Sequence, residues 1–158
     1  QGDFGKSTEV HPKLASILYA LDRGMVADEM TGHLESGHYI LCDRYIESNI
    51  TYQQAKLPEK EREEFFKWLT DLEHNELRVP VSDAVLFLRV PVDISRTNMD
   101  NREELDGHEE NQNYQQEVLR SYESLAKDSD KWTIIDCTNN GEMCSREEIH
   151  KEIYQAIQ

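Results

Sequence analysis

Gly5-Lys6-Ser7-Thr8 is a run whose residue types suit a phosphate chain. In such a loop the backbone N–H groups surround the phosphates, the lysine reaches the β and γ oxygens, and the hydroxyl holds Mg²⁺. The run is the end of a Walker A motif, whose full form places four residues between its first glycine and the Gly-Lys pair. Here only Asp3 and Phe4 separate Gly2 from Gly5. Further along, Tyr19 and Arg23 lie one helical turn apart on a shared face, an aromatic surface beside a cation. Asp43 and Arg44 sit at the carboxyl end of a short apolar run, a carboxylate next to a guanidinium.

The elements that must position these residues alternate in type. Lys13 to Glu35 reads as one helix, because Leu14, Ile17, Leu18, Leu21 and Met25 recur at helical spacing before Gly37. Tyr39 to Cys42 reads as a strand buried on both faces. A helix is expected from Glu59 to Leu77, with Phe65, Leu69 and Leu72 along one side, then a strand from Ala84 to Val90. Residues 98–113 are charged and aperiodic, which fits a lid. Tyr114, Val118, Tyr122 and Leu125 mark another helix, Trp132 to Ile135 a third strand, and Ser145 with Glu148 a capping box for a last helix.

That order predicts an α/β chain with a parallel sheet and helices on both faces, folded as one domain over residues 1–158. In such folds ligands sit at the carboxyl ends of the strands. No strand precedes the phosphate loop, and Pro12 leaves little room for the helix that follows one. The expectation is that part of the N-terminal half is absent, namely a strand before Gln1 and a strand-bearing segment between Thr8 and Lys13. A degenerate loop is the competing explanation.

The net charge of −15 speaks against a nucleic acid polymer as partner, since a phosphate backbone is held by basic surface. Small phosphorylated ligands need only a few local cations and N–H groups. No stretch approaches the ~18 consecutive apolar residues of a membrane span. Cys42, Cys137 and Cys144 lack the paired spacing of a zinc site and read as thiols in a reducing cytoplasm.

The run from Ile17 to Arg23, with Asp43-Arg44-Tyr45-Ile46-Glu47-Ser48-Asn49 and then Tyr52-Gln53, resembles the core of thymidylate kinases. The likeness continues through Trp68, Leu72-Glu73, Pro80, Val90-Pro91 and Asp106-Gly107-His108-Glu109. It implies a P-loop NTPase fold and transfer of the γ-phosphoryl of ATP to dTMP, with Mg²⁺, in a cytoplasmic homodimer. By that resemblance Gly5, Lys6, Ser7 and Thr8 bind ATP, and Ser7 and Asp43 serve the metal. Tyr19 stacks on thymine, Arg23 donates to a thymine carbonyl and Arg44 grips the acceptor phosphate. Asn49 reads the base edge, Tyr52 packs under the deoxyribose, and Gln53 lies close by. Lys6, the lid residue Arg102 and Asp3 near the acceptor's 3′-hydroxyl complete the catalytic set, while adenine lies near 136–141. A deoxynucleoside kinase and an inactive nucleotide-binding relic are the alternatives.

Overall fold

The computed structural model describes residues 9–99 and 112–157. The phosphate loop with Asp3, and the lid residues from 100 to 111 with Arg102, lie outside the described residues. The chain divides into two units, one ending at Val81 and one beginning at Ser82.

The first unit is helical. Helix α1 spans Pro12–Gly24, with His11 at its N-cap and Pro12 in its first turn, where the missing N–H costs nothing. Helix α2 spans Ala27–Glu35, α3 spans Ile46–Gln54 and α4 spans Glu59–Asp71. A π-helical turn, Leu72–Glu76, extends α4. The expected single helix from Lys13 to Glu35 is therefore two. Gly24 is a poor helix residue, and Val26 leaves helical geometry at φ −112°, ψ 4°. The core gathers Ala20 of α1, Ile46 and Ile50 of α3, and Phe65 and Leu69 of α4, all buried. Lys13 lies over the Trp68 ring, 5.0 Å from its centroid, which ties α1 to α4.

The expected strand Tyr39–Cys42 does not form. Tyr39 and Leu41 are almost fully exposed, and the segment runs on as irregular backbone to Tyr45. An apolar run becomes a buried strand only where neighbours complete its hydrogen bonds, and the run pairs with no strand among the described residues.

The second unit carries the parallel sheet. Strand β1, Val85–Arg89, pairs in parallel with β2, Trp132–Asp136, in the register Val85↔Trp132 through Arg89↔Asp136. Between them come α5, Val92–Met99, and α6, Gln112–Lys127. Helix α6 packs on β2 through aromatic groups: Phe87 stacks on Tyr122 at 4.9 Å, and Trp132 meets both rings edge-on. Tyr114, Val118 and Ile135 are buried in this unit. The last helix, α7, spans Arg146–Ala156 and starts on the expected box: Glu148 N–H donates to the Ser145 hydroxyl, and the Glu148 carboxylate accepts from Ser145 N–H.

A short hairpin was not anticipated. Thr138–Asn139 and Glu142–Met143 pair as antiparallel strands β3 and β4 across Asn140-Gly141. Both turn residues have positive φ, 51° and 84°, the geometry of a two-residue hairpin turn. Asn-Gly is the sequence signal for that turn.

At the carboxyl ends of β1 and β2, Arg89 forks onto Asp136, with Nε donating to Oδ1 at 2.5 Å and Nη2 to Oδ2 at 2.7 Å. These hydrogen bonds, more than the charge of Arg89, hold the Asp136 carboxyl below its usual range. A depressed carboxyl contributes stability above its unfolded value, near 3.9, and loses it as pH falls through the folded value. The pair is half-exposed, so solvent screens it. Asp136→Asn is expected to cost about 0.2–1 kcal/mol at neutral pH and nothing at pH 2. Urea unfolding at the two pH values measures the difference.

Candidate functional site

Every expected acceptor-side residue belongs to the first unit. Helix α1 supplies Tyr19 and Arg23, and α3 supplies Asn49, Tyr52 and Gln53. The irregular segment leading into α3 carries Asp43 and Arg44.

Arg23 does not end in solvent, as an ordinary surface cation would. Its Nε donates to Glu73 Oε2 at 2.6 Å and its Nη2 to Glu73 Oε1, a bidentate grip on a carboxylate with no exposed surface. The guanidinium also lies over the Tyr45 ring, 5.9 Å from the centroid. Tyr45 is held in turn by its hydroxyl, which donates to the Pro80 carbonyl at 2.7 Å. Burial, above all, pushes the Tyr45 phenol well above its usual value, so it stays a donor.

Asn49 joins the same carboxylate. Its Nδ2 donates to Glu73 Oε1 at 3.1 Å and to the Ser16 carbonyl at 3.2 Å. Its Oδ1 is buried and accepts nothing among the described residues. The Ser16 hydroxyl and Gln53 Oε1 are likewise buried without a partner there. Native interiors leave few such atoms unpaired, so three on neighbouring residues mark a place built for something else to pair with.

Arg44 has φ 66°, in the left-handed region that a side chain rarely adopts. Such strain persists where the surroundings demand it and clusters at functional sites. Its guanidinium sits 5.3 Å from the centroid of the Tyr52 ring. Asp43 and Arg44 are both exposed, and among the described residues neither takes part in an ion pair. Alternation along a strand therefore does not separate them, since no strand exists here. The turn of the backbone at Arg44 does.

Tyr19 is half-exposed, one turn before Arg23 on α1, which sets aside a place in the core. Gln53 is buried one turn after Asn49. The structure thus joins Arg23 to Asn49 through Glu73, and Arg44 to Tyr52. No side-chain hydrogen bond or ion pair among the described residues ties Tyr19, Asp43 or Gln53 to the others. Sequence reasoning assigned no role to Glu73 or Tyr45. The signal for Glu73 was present: it follows Phe65 and Leu69 at four-residue steps, an acid on an apolar helix face.

The model of the thymidylate kinase family matches residues 4–153. The chain belongs to the thymidylate kinase family. Among individual family members, it is 32% identical over 144 residues to the thymidylate kinase of a Nostoc species, covering 89% of this chain and 64% of that protein. The likeness to the thymidylate kinase of Halalkalibacterium halodurans is 28% over 124 residues, covering 76% of this chain and 57% of that protein. For the Staphylococcus epidermidis thymidylate kinase it is 26% over 155 residues, covering 97% and 71%. The chain thus spans less than two thirds of the length of the first two relatives. No described helix is long and apolar enough to cross a membrane.

Proposed function

We propose that this chain forms the acceptor side of a kinase that moves the γ-phosphoryl of ATP onto dTMP, on a P-loop NTPase scaffold. The observation that carries the reading is Arg44. In a chain of net charge −15, a strained arginine without an acidic partner among the described residues is a cation kept for an anionic ligand. A nucleoside kinase has no acceptor phosphate to hold, so the feature favours a monophosphate acceptor. The Tyr52 ring lies against the Arg44 guanidinium, which supports a role for it in packing against the sugar next to that phosphate. Tyr19 offers its exposed face to the base, and Arg23 and Asn49 offer polar groups to the base edge, with Gln53 behind them.

Phosphoryl transfer asks the protein for positioned charge and exclusion of water. Lys6 with the Gly5, Ser7 and Thr8 N–H groups is proposed to hold the ATP phosphates, and Arg102 to cover the transferring group when residues 98–113 close. Asp3 is proposed to lie beside the acceptor sugar. Asp43, an exposed carboxylate outside any ion pair among the described residues, has the hard oxygen donors that Mg²⁺ prefers, and with the Ser7 hydroxyl would hold it. The ion, when bound, neutralises phosphate charge. A homodimer in the cytoplasm completes the reading.

Offered ATP and Mg²⁺, the full protein is expected to phosphorylate dTMP and to leave thymidine untouched, as followed by coupled ADP release. Activity on thymidine alone would overturn the assignment in favour of a nucleoside kinase. Activity on neither would support the inactive relic.

A further inference from the structure

Glu73 has no exposed surface and lies on a π-helical turn at the end of α4. A lone buried carboxylate is costly, and this one is compensated by Arg23 and Asn49 together. Its effect on the two partners is more specific than neutralisation. Glu73 occupies the Nε/Nη2 edge of Arg23, so Nη1 and the second N–H of Nη2 are the donors left to reach elsewhere. Asn49 Nδ2 carries two protons, and Glu73 Oε1 and the Ser16 carbonyl take both. Turning the amide over would set Oδ1 against two acceptors. The amide is therefore locked with Oδ1 outward from that pair, and Oδ1 is the buried acceptor left without a partner among the described residues.

We infer that Glu73 is a positioning residue that fixes the polarity of the base-reading pair, with Arg23 presenting a donor and Asn49 an acceptor, and so selects 4-oxo over 4-amino pyrimidine monophosphates. The inference rests on the acceptor reading above. A 4-oxo pyrimidine offers a carbonyl acceptor at C4 and an N–H donor at N3, the complement of a donor and an acceptor in that order. A 4-amino pyrimidine offers the reverse, and would set donor against donor and acceptor against acceptor. Sites that pair buried polar groups with a substrate reject the mispaired analogue strongly, because the groups are left unsatisfied. Arginine donates whatever its surroundings but, untethered, can swing away from the base, and a free amide can present either end.

The experiment compares dTMP with dCMP in the full protein and in Glu73→Gln. Glutamine keeps the volume, but one of the two carboxylate acceptors becomes an amide donor, so Arg23 Nε and Asn49 Nδ2 can no longer both keep their bonds. The ratio of kcat/KM for dTMP over dCMP is expected to fall at least about tenfold in the variant, through loss on dTMP and gain on dCMP. A merely structural role would lower both substrates by one factor; an unchanged ratio overturns the inference while leaving the acceptor reading intact. A wild-type protein that uses dCMP as well as dTMP overturns both. Should Glu73→Gln not fold, a crystal structure of the wild-type protein with dTMP decides. Asn49 Nδ2 still on Glu73, with Oδ1 on the base N3, supports the inference, and the amide reversed overturns it.

Discussion

Arg44→Ala is expected to lower kcat/KM for dTMP by about 10²–10³-fold, the usual effect of removing one positioned charge from a transferring phosphoryl group's surroundings. Arg44 lies exposed at the end of an irregular segment and makes no ion pair among the described residues. Its removal breaks no charge network, so the loss belongs to substrate and not to folding. The backbone supplies an internal control. At φ 66° any side chain is strained, and glycine alone is relaxed there. Arg44→Gly is therefore expected to be at least as stable as Arg44→Ala and equally poor with dTMP. Steady-state kinetics beside urea unfolding separates the two effects. A variant of either kind that keeps wild-type kcat/KM would remove Arg44 from the phosphate site. Arg44→Lys restores charge without the planar fork and should recover only part of the loss.

The largest effect on stability is expected from Arg23→Ala, about 3–5 kcal/mol, the cost of stranding one member of a buried ion pair. Glu73 has no exposed side-chain surface, and Arg23 retains only 17% of its own, so water cannot replace the guanidinium. Asn49 would remain as the one described donor to a carboxylate deprived of its counter-charge. Chemical denaturation measures the loss, and a double variant interprets it. With Arg23→Leu and Glu73→Leu combined, no charge is stranded, and most of the stability is expected to return. A double variant as unstable as Arg23→Ala would mean that packing by the arginine stem, and not charge, is what matters. Binding is not expected to return with stability, since the donor proposed to meet the base is gone.

How much of this was legible in the sequence depended on the range of the forces involved. The Ser145/Glu148 box is a contact between residues three apart, and it stands as read. Strands Val85–Arg89 and Trp132–Asp136 and helix Gln112–Lys127 were visible because their apolar residues serve one nearby sheet. Tyr39–Cys42 carries the same kind of apolar run and forms no strand, because pairing is a property of neighbours and not of the run. The division of the first long helix turned on Gly24 and Val26, a local weakness inside a periodic pattern that runs through it. The residues expected on the acceptor side were picked out by type and order. Their coupling was not, because Arg23 and Glu73 meet across fifty positions of chain. Gly5 to Thr8, Asp3 and Arg102 lie outside the described residues, so the donor side rests on family membership alone.

The π turn at Leu72–Glu76 gives this arrangement an unusual genetic accessibility. A π turn holds one residue more than the α-helical turn it replaces. Deleting Leu72 alone would restore regular helix and turn the side chains from Glu73 onward by about 100° relative to α4. The Glu73 carboxylate would then leave Arg23 and Asn49 without any change in the residues proposed to face the base. With Glu73 in the role inferred above, base preference would shift by a deletion remote from the pocket, a kind of change that comparison of pocket residues between relatives does not register.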